Sequence, residues 1–210
     1  MDPNHATIIS GVLSMAGGAI GAIFAYKAAI KQMTDGKKRD DANRILDIKV
    51  KKLEDVIAHF NDLLLIIKTT DGYLKDLYIT MDVYKDKRYT HLNHDNIDVE
   101  SFSKMREATS KIEIYISRLN SYRWFVTELI DFDTMYTSRT DYSEAVKKIR
   151  ILFSSVENKV SLELNDSFYT KLSLSEENYD EKYKSFEGFL DETIKKIENE
   201  IKSTLSIKEN

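Results

Sequence analysis

Residues 46–68 read LDIKVKKLEDVIAHFNDLLLIIK. Within them Leu46, Val50, Leu53, Ile57, Phe60, Leu64 and Ile67 recur at steps of four and three, the heptad seam of a helix that packs against other helices. Asp71-Gly72 interrupts the seam, and Leu74, Tyr78 and Met81 then resume its phase. The helix either continues across a polar defect or breaks there and restarts. Pro3 is the single proline of 210 residues, so nothing downstream obliges a helix to stop.

The same spacing recurs along the chain. Met105, Ala108, Ile112, Tyr115, Leu119, Tyr122, Val126 and Leu129 predict a second long helix, with Ile116, Trp124, Phe125 and Ile130 widening its apolar face. The polar stretch KRYTHLNHDNID (87–98) before it is expected to be a loop, and TSRTD (137–141) after it a turn. Asp141 and Glu144 then have the spacing of a capping box. They introduce a helix that carries Tyr142, Val146, Ile149, Phe153, Val156 and Val160. A final helix is expected to start near Ser173 and Glu176 and to carry Tyr179, Tyr183, Phe186, Leu190, Ile194, Ile197, Ile201 and Leu205. Strand-like alternation comes closest in KVSLELND (159–166), read here as a helix end. The expected fold class is all-α, with a bundle of four to five long helices.

Upstream of the seam, ATIISGVLSMAGGAIGAIFAY (residues 6–26) carries no charge and holds Gly11, Gly17, Gly18 and Gly21, four of the chain's seven glycines. Its length suffices to cross a bilayer, for which about 20 residues are needed. Met1–His5 lacks the basic residues of a secretory signal. A buried helix of a soluble protein would be poorly served by so many glycines. An uncleaved transmembrane helix is therefore expected. Lys27, Lys31, Lys37, Lys38, Arg39 and Arg44 all lie on its C-terminal side, which places the N-terminus outside and the rest in the cytoplasm of a bacterial inner membrane. The expected division is an outside tail with the span (1–33), a basic juxtamembrane connector (34–44) and a cytoplasmic helical domain (45–210). Thr34-Asp35-Gly36 is a candidate hinge. Lys27, Lys31, Lys37, Lys38 and Arg39 are placed to meet anionic lipid headgroups.

Wrapped on a helix, Thr7, Ser10, Ser14, Gly17, Gly18 and Gly21 form one small or weakly polar stripe opposite aliphatic Ile9, Leu13, Ile20 and Ile23. Ser14 to Gly18 and Gly17 to Gly21 have the spacing that lets membrane helices approach closely, so the stripe is expected to pack between copies or to line a pore.

Chemistry is sparse. With no cysteine there is no disulfide and no thiol nucleophile. A net charge of −4 argues against general nucleic-acid binding. No phosphate loop, nucleophile elbow or zinc-protease motif occurs, and no cofactor is expected. His91, His94, Asp95 and Asp98 share one polar loop, where solvated side chains are favoured over metal ligands. Arg88 precedes His94 by six residues, within RYTHLNH. Such a pair resembles the Arg…His signature of HEPN ribonucleases, in which histidine transfers a proton and arginine steadies phosphate charge. Together with the SGVLSMAGGAIGAIFAY span and the helical domain, it resembles the small membrane accessory proteins of type VI-B CRISPR systems. More loosely, the layout is similar to single-span bacterial antiphage-defence proteins. The resemblance implies a non-enzymatic homo-oligomer that forms a pore or perturbs the membrane, with a CRISPR effector or its RNA products as candidate partners. A membrane-tethered ribonuclease using Arg88 and His94, or a passive scaffold for a cytoplasmic partner, are the alternatives.

Overall fold

The computed structural model describes the backbone of residues 3–93, 95 and 99–209, and side chains from Tyr26 to Ile207 except at 94 and 96–99. It divides into two compact units, Met1–Lys51 with Thr204–Asn210, and Lys52–Ser203. The elements in chain order are α1 (Pro3–Asp86), β1 (His91–Leu92), α2 (Val99–Asn120), α3 (Arg123–Val126), α4 (Phe132–Leu152), α5 (Ser154–Glu157), β2 (Leu162–Glu163) and α6 (Asp166–Glu209). The all-α class expected from the sequence is observed, with four long helices and two single-turn ones among the described residues.

The larger unit is an up-down-up-down bundle. Contacts between α1 and α2 pair early residues of one with late residues of the other, as in His59 with Tyr122 and Lys104 with Tyr73. The same reversal links α1 to α6 (Lys68 with Glu187, Lys85 with Tyr169). It also links α4 to α6 (Asp141 with Lys182) and α2 to α4 (Glu113 with Arg139). Each helix buries a stripe at steps of three and four. On α1 this stripe is Leu53, Val56, Phe60, Leu63, Ile67, Thr70, Leu74, Leu77 and Met81. It shares every seventh residue with the seam read from sequence. Between those positions Val56 and Leu63 are fully buried while Ile57 and Leu64 are half-exposed, so the core lies one position to the side of the expected line.

Several boundaries differ from expectation. Asp71-Gly72 and Thr34-Asp35-Gly36 are both helical, neither a break nor a hinge. The second helix ends at Asn120 rather than near Leu129. The Ser121 hydroxyl donates to the Arg118 carbonyl at 2.6 Å and competes with helical continuation. Trp124, expected in the core, is 73% exposed, whereas Val126 and Ile130 are buried. TSRTD is helical too. The α4 N-cap is Asp131, whose carboxylate accepts from the Thr134 backbone N–H at 3.1 Å, so Asp141 and Glu144 do not form the cap. Arg139 in that stretch reaches Glu113 on α2, and buried Met135 and Tyr142 hold the turns on either side. Asn165 starts α6 by accepting from Phe168 N–H at 2.9 Å, eight residues before Ser173.

Residues 162–163, read as a helix end, pair antiparallel with His91–Leu92 inside the expected 87–98 loop. Leu92 and Leu164 bury beside this short ladder. It ties the connection after α1 to the one before α6.

Candidate functional site

Two regions concentrate chemistry among the described residues. The first is the helical segment after the uncharged run. Lys27, Lys31 and Lys38 share one helix face through spacings of four and seven, while Lys37 and Arg39 flank it. All five are exposed. On an adjoining face Tyr26, Ile30 and Met33 stand in solvent at steps of four and three, Tyr26 at 68% and Met33 at 76% exposure. Ile30 and Met33 were not singled out from sequence, although their spacing from Tyr26 carries the signal. The segment thus sets an apolar strip with Tyr26 at its end beside a row of ammonium groups.

The second region is a polar cluster inside the bundle. Asp71, only 7% exposed, accepts from Lys75 Nζ at 2.6 Å and from the Tyr179 hydroxyl of α6 at 3.4 Å. Tyr142 of α4 packs against Tyr179, with ring centroids 5.9 Å apart. Its hydroxyl lies beside Thr70 and Tyr179 but makes no hydrogen bond of standard geometry. Tyr183 stacks on Tyr179 and donates to Glu187, which also pairs with Lys68. Burial pushes the Tyr142 and Tyr179 phenols well above their ordinary range, and the Asp71 charge adds to the effect. The hydrogen bond to Asp71 holds the Lys75 ammonium above its usual value. The cluster joins three helices and keeps its tyrosines protonated. Its buried hydroxyls and carboxylate tie packed helices to one another, which makes it a polar interlock.

Arg88 is exposed just beyond the α1 C-terminus, at φ 57°. Its N–H donates to the Lys85 carbonyl, and Tyr89 N–H donates to the Tyr84 carbonyl, which makes it the left-handed residue of a Schellman cap. His94, its expected partner, lies outside the described residues, as does Asp98. His91 is exposed in β1, opposite Glu163. His59 is half-buried between the Tyr115 and Tyr122 rings, remote in sequence from any expected site. Among the described residues no group of histidine and acidic side chains is placed to hold a metal ion.

The side chains of Thr7, Ser10, Ser14, Gly17, Gly18 and Gly21 lie outside the described residues, and with them all of the expected span except Tyr26. Among the described residues no helix is long and apolar enough to cross a membrane. Comparison with protein-family models, curated proteins and solved structures gives no match.

Proposed function

We propose that the chain is a single-pass membrane protein whose helical bundle stands on the basic side of the bilayer and whose activity is to assemble and perturb that membrane. One observation carries the reading. The uncharged residues 6–26 run into a helical segment where exposed Tyr26, Ile30 and Met33 adjoin Lys27, Lys31 and Lys38. An apolar strip and ammonium groups side by side suit the headgroup layer, where each basic residue near an anionic surface contributes about 1 kcal/mol of attraction. The small-residue stripe from Thr7 to Gly21 supplies close helix packing between copies. The narrower role, a pore-forming accessory in CRISPR-associated antiphage defence, is the form suggested by the layout of span, basic flank and helical domain.

Dye release from liposomes containing anionic lipid, after reconstitution of the full chain, tests the perturbing activity. Release that is lost in the Gly17→Ile, Gly21→Ile double variant supports it. Intact vesicles at every protein density overturn the activity, and equal release from the variant overturns the role of the stripe.

A further inference from the structure

Along the seam between α1 and α6 the charges are matched over one stretch and unmatched over the next. Lys68 meets Glu187 at 3.4 Å, and Lys75 meets Asp71 at 2.6 Å. Beyond them Tyr169, Glu176 and Tyr183 recur every seven residues on the side of α6 that faces α1. Tyr169 lies beside Lys85 of α1, and Tyr183 donates to the Glu187 that Lys68 holds. Glu176 stands between them, half-buried. The antiparallel register set by Lys68 with Glu187 and Lys85 with Tyr169 brings Tyr78 level with Glu176. Only 8% of Tyr78 is exposed, yet its hydroxyl makes no hydrogen bond. The charges that act on it are those of Glu176 and Asp180. Glu176 in turn has carboxylates about it, with Asp180 and Glu177 beside it on α6 and Asp82 facing it from α1. The cations of the seam are engaged elsewhere. Lys75 bonds Asp71 and acts on Asp180 only from a distance, and Lys85 lies over the Tyr169 ring. On its other flank α6 packs against α4 through Lys182 and Asp141, and Glu144, Lys147 and Lys148 of α4 at this height are exposed.

We propose that Glu176 is a proton-operated latch between α1 and α6. Ionised, it repels Asp82 and loosens the C-terminal end of α1 from the N-terminal end of α6. A proton taken up from solvent removes that repulsion and supplies an O–H that donates to a neighbouring carboxylate, so that two acids share one proton. Closing the seam brings the other carboxyl oxygen toward the unbonded Tyr78 hydroxyl. Burial, together with the like charges of Asp180, Asp82 and Glu177, holds the Glu176 carboxyl above its ordinary value. The folded chain therefore binds this proton more tightly than the unfolded one. Stability from Glu176 grows as pH falls through its folded value and is complete below the unfolded value of 4.5. Asp131 and Glu107, held low by hydrogen bonds, act in the opposite direction. The latch belongs to the bundle and holds whether or not residues 6–26 enter a membrane.

Amide hydrogen exchange on the full-length chain, in mild detergent or in buffer should the chain prove soluble, tests the latch. Exchange is followed at residues 76–86 of α1 and 166–176 of α6, at neutral pH and at about pH 5, and corrected for the intrinsic rate at each pH. Glu176→Gln fixes the position neutral, and Glu192→Gln at an exposed α6 position is the control. At neutral pH Glu176→Gln is expected to slow exchange at both helix ends at least about twofold relative to the parent chain. The difference closes toward the lower pH, and Glu192→Gln follows the parent throughout. Asp82→Asn removes the facing charge and moves the response to lower pH. A Glu176→Gln chain that exchanges like the parent at neutral pH overturns the latch. An unshifted response in Asp82→Asn overturns Asp82 as the opposing group. Tightening of the parent at constant neutral pH by added magnesium or spermidine, lost in Glu176→Gln, also overturns the latch and makes the cluster a cation site.

Discussion

The phenol of Tyr179 on α6 points at the carboxylate of Asp71 on α1, Oη to Oδ1 3.4 Å, across 108 residues of sequence in a bundle whose core is mostly aliphatic and aromatic. Lys75 completes the arrangement from one turn further along α1, at 2.6 Å. A charge at this depth weakens the core unless its lone pairs are filled, and Asp71 is filled from two sides, by the buried Tyr179 phenol and by a Lys75 ammonium that is largely in solvent, where water replaces it readily. Their value lies in register. Most of the α1 stripe is aliphatic and would tolerate a slide of one heptad against α6, but Asp71 would then lose the Tyr179 hydroxyl.

Removing Asp71 is therefore costly and removing Lys75 is not. Asp71→Ala leaves the Tyr179 hydroxyl buried without its acceptor, a loss of about 1–3 kcal/mol. Lys75→Ala removes a side chain that is 65% in solvent, and costs under about 1 kcal/mol. Urea denaturation of the two variants gives the order, and a larger loss for Lys75→Ala contradicts it.

The buried phenols set an alkaline limit. Tyr78, Tyr142 and Tyr179 hold their protons more tightly folded than unfolded, chiefly through burial. Stability from this source is complete below the unfolded phenol value of 10.0 and declines as pH rises above it. The decline approaches about 1.4 kcal/mol per pH unit for each tyrosine. Denaturant midpoints measured between neutral and strongly alkaline pH should fall in that direction. Phenolate absorbance from these residues should appear together with loss of helix. Ionisation of all tyrosines in a still-helical chain contradicts the burial.

Arg88 and Lys159 both occupy left-handed cap positions, at φ 57° and 63°. Lys159 repeats the Arg88 pattern, with its N–H on the Val156 carbonyl and Val160 N–H on the Ser155 carbonyl. A side chain in this conformation carries a cost of about 1 kcal/mol that glycine avoids. Arg88→Gly and Lys159→Gly are each expected to stabilise the bundle by up to about 1 kcal/mol, read as a rise in denaturant midpoint. The ribonuclease reading requires the Arg88 guanidinium, so loss of RNA cleavage on this substitution would favour catalysis.

Gly72→Ala tests the open setting of this mid-helix glycine. Within one chain the added methyl has open space and improves helix propensity, which stabilises the bundle by about 1 kcal/mol. A variant with unchanged or lower stability contradicts the open setting of Gly72.

The helical class was legible because apolar spacing of three and four survives any detail of packing. Leu53, Phe60, Ile67, Leu74 and Met81 were found on the seam and are all buried. Which neighbour shares the core, Val56 or Ile57, depends on where α2, α4 and α6 stand, and both residues are aliphatic. Element ends were less legible for the same reason. Thr137 and Thr140 look like turn residues, yet inside α4 their hydroxyls donate back to the Asp133 and Tyr136 carbonyls. The β1–β2 ladder is two residues long on each side and leaves no alternation to read. Asp71 was visible only as an interruption, because its partner Tyr179 sits on another seam as an ordinary aromatic. Lys27, Lys31 and Lys38 were legible as part of a basic cluster, and their sorting onto one face beside Ile30 and Met33 followed from unbroken helix through Gly36.

Membrane insertion through residues 6–26 is the claim on which the assembly and pore readings depend. Alkaline carbonate washing of bacterial membranes carrying the full-length chain tests it most directly, since it strips peripheral proteins held by charge and leaves inserted helices in place. The chain is predicted to remain in the membrane pellet. Its release into the supernatant would contradict the account.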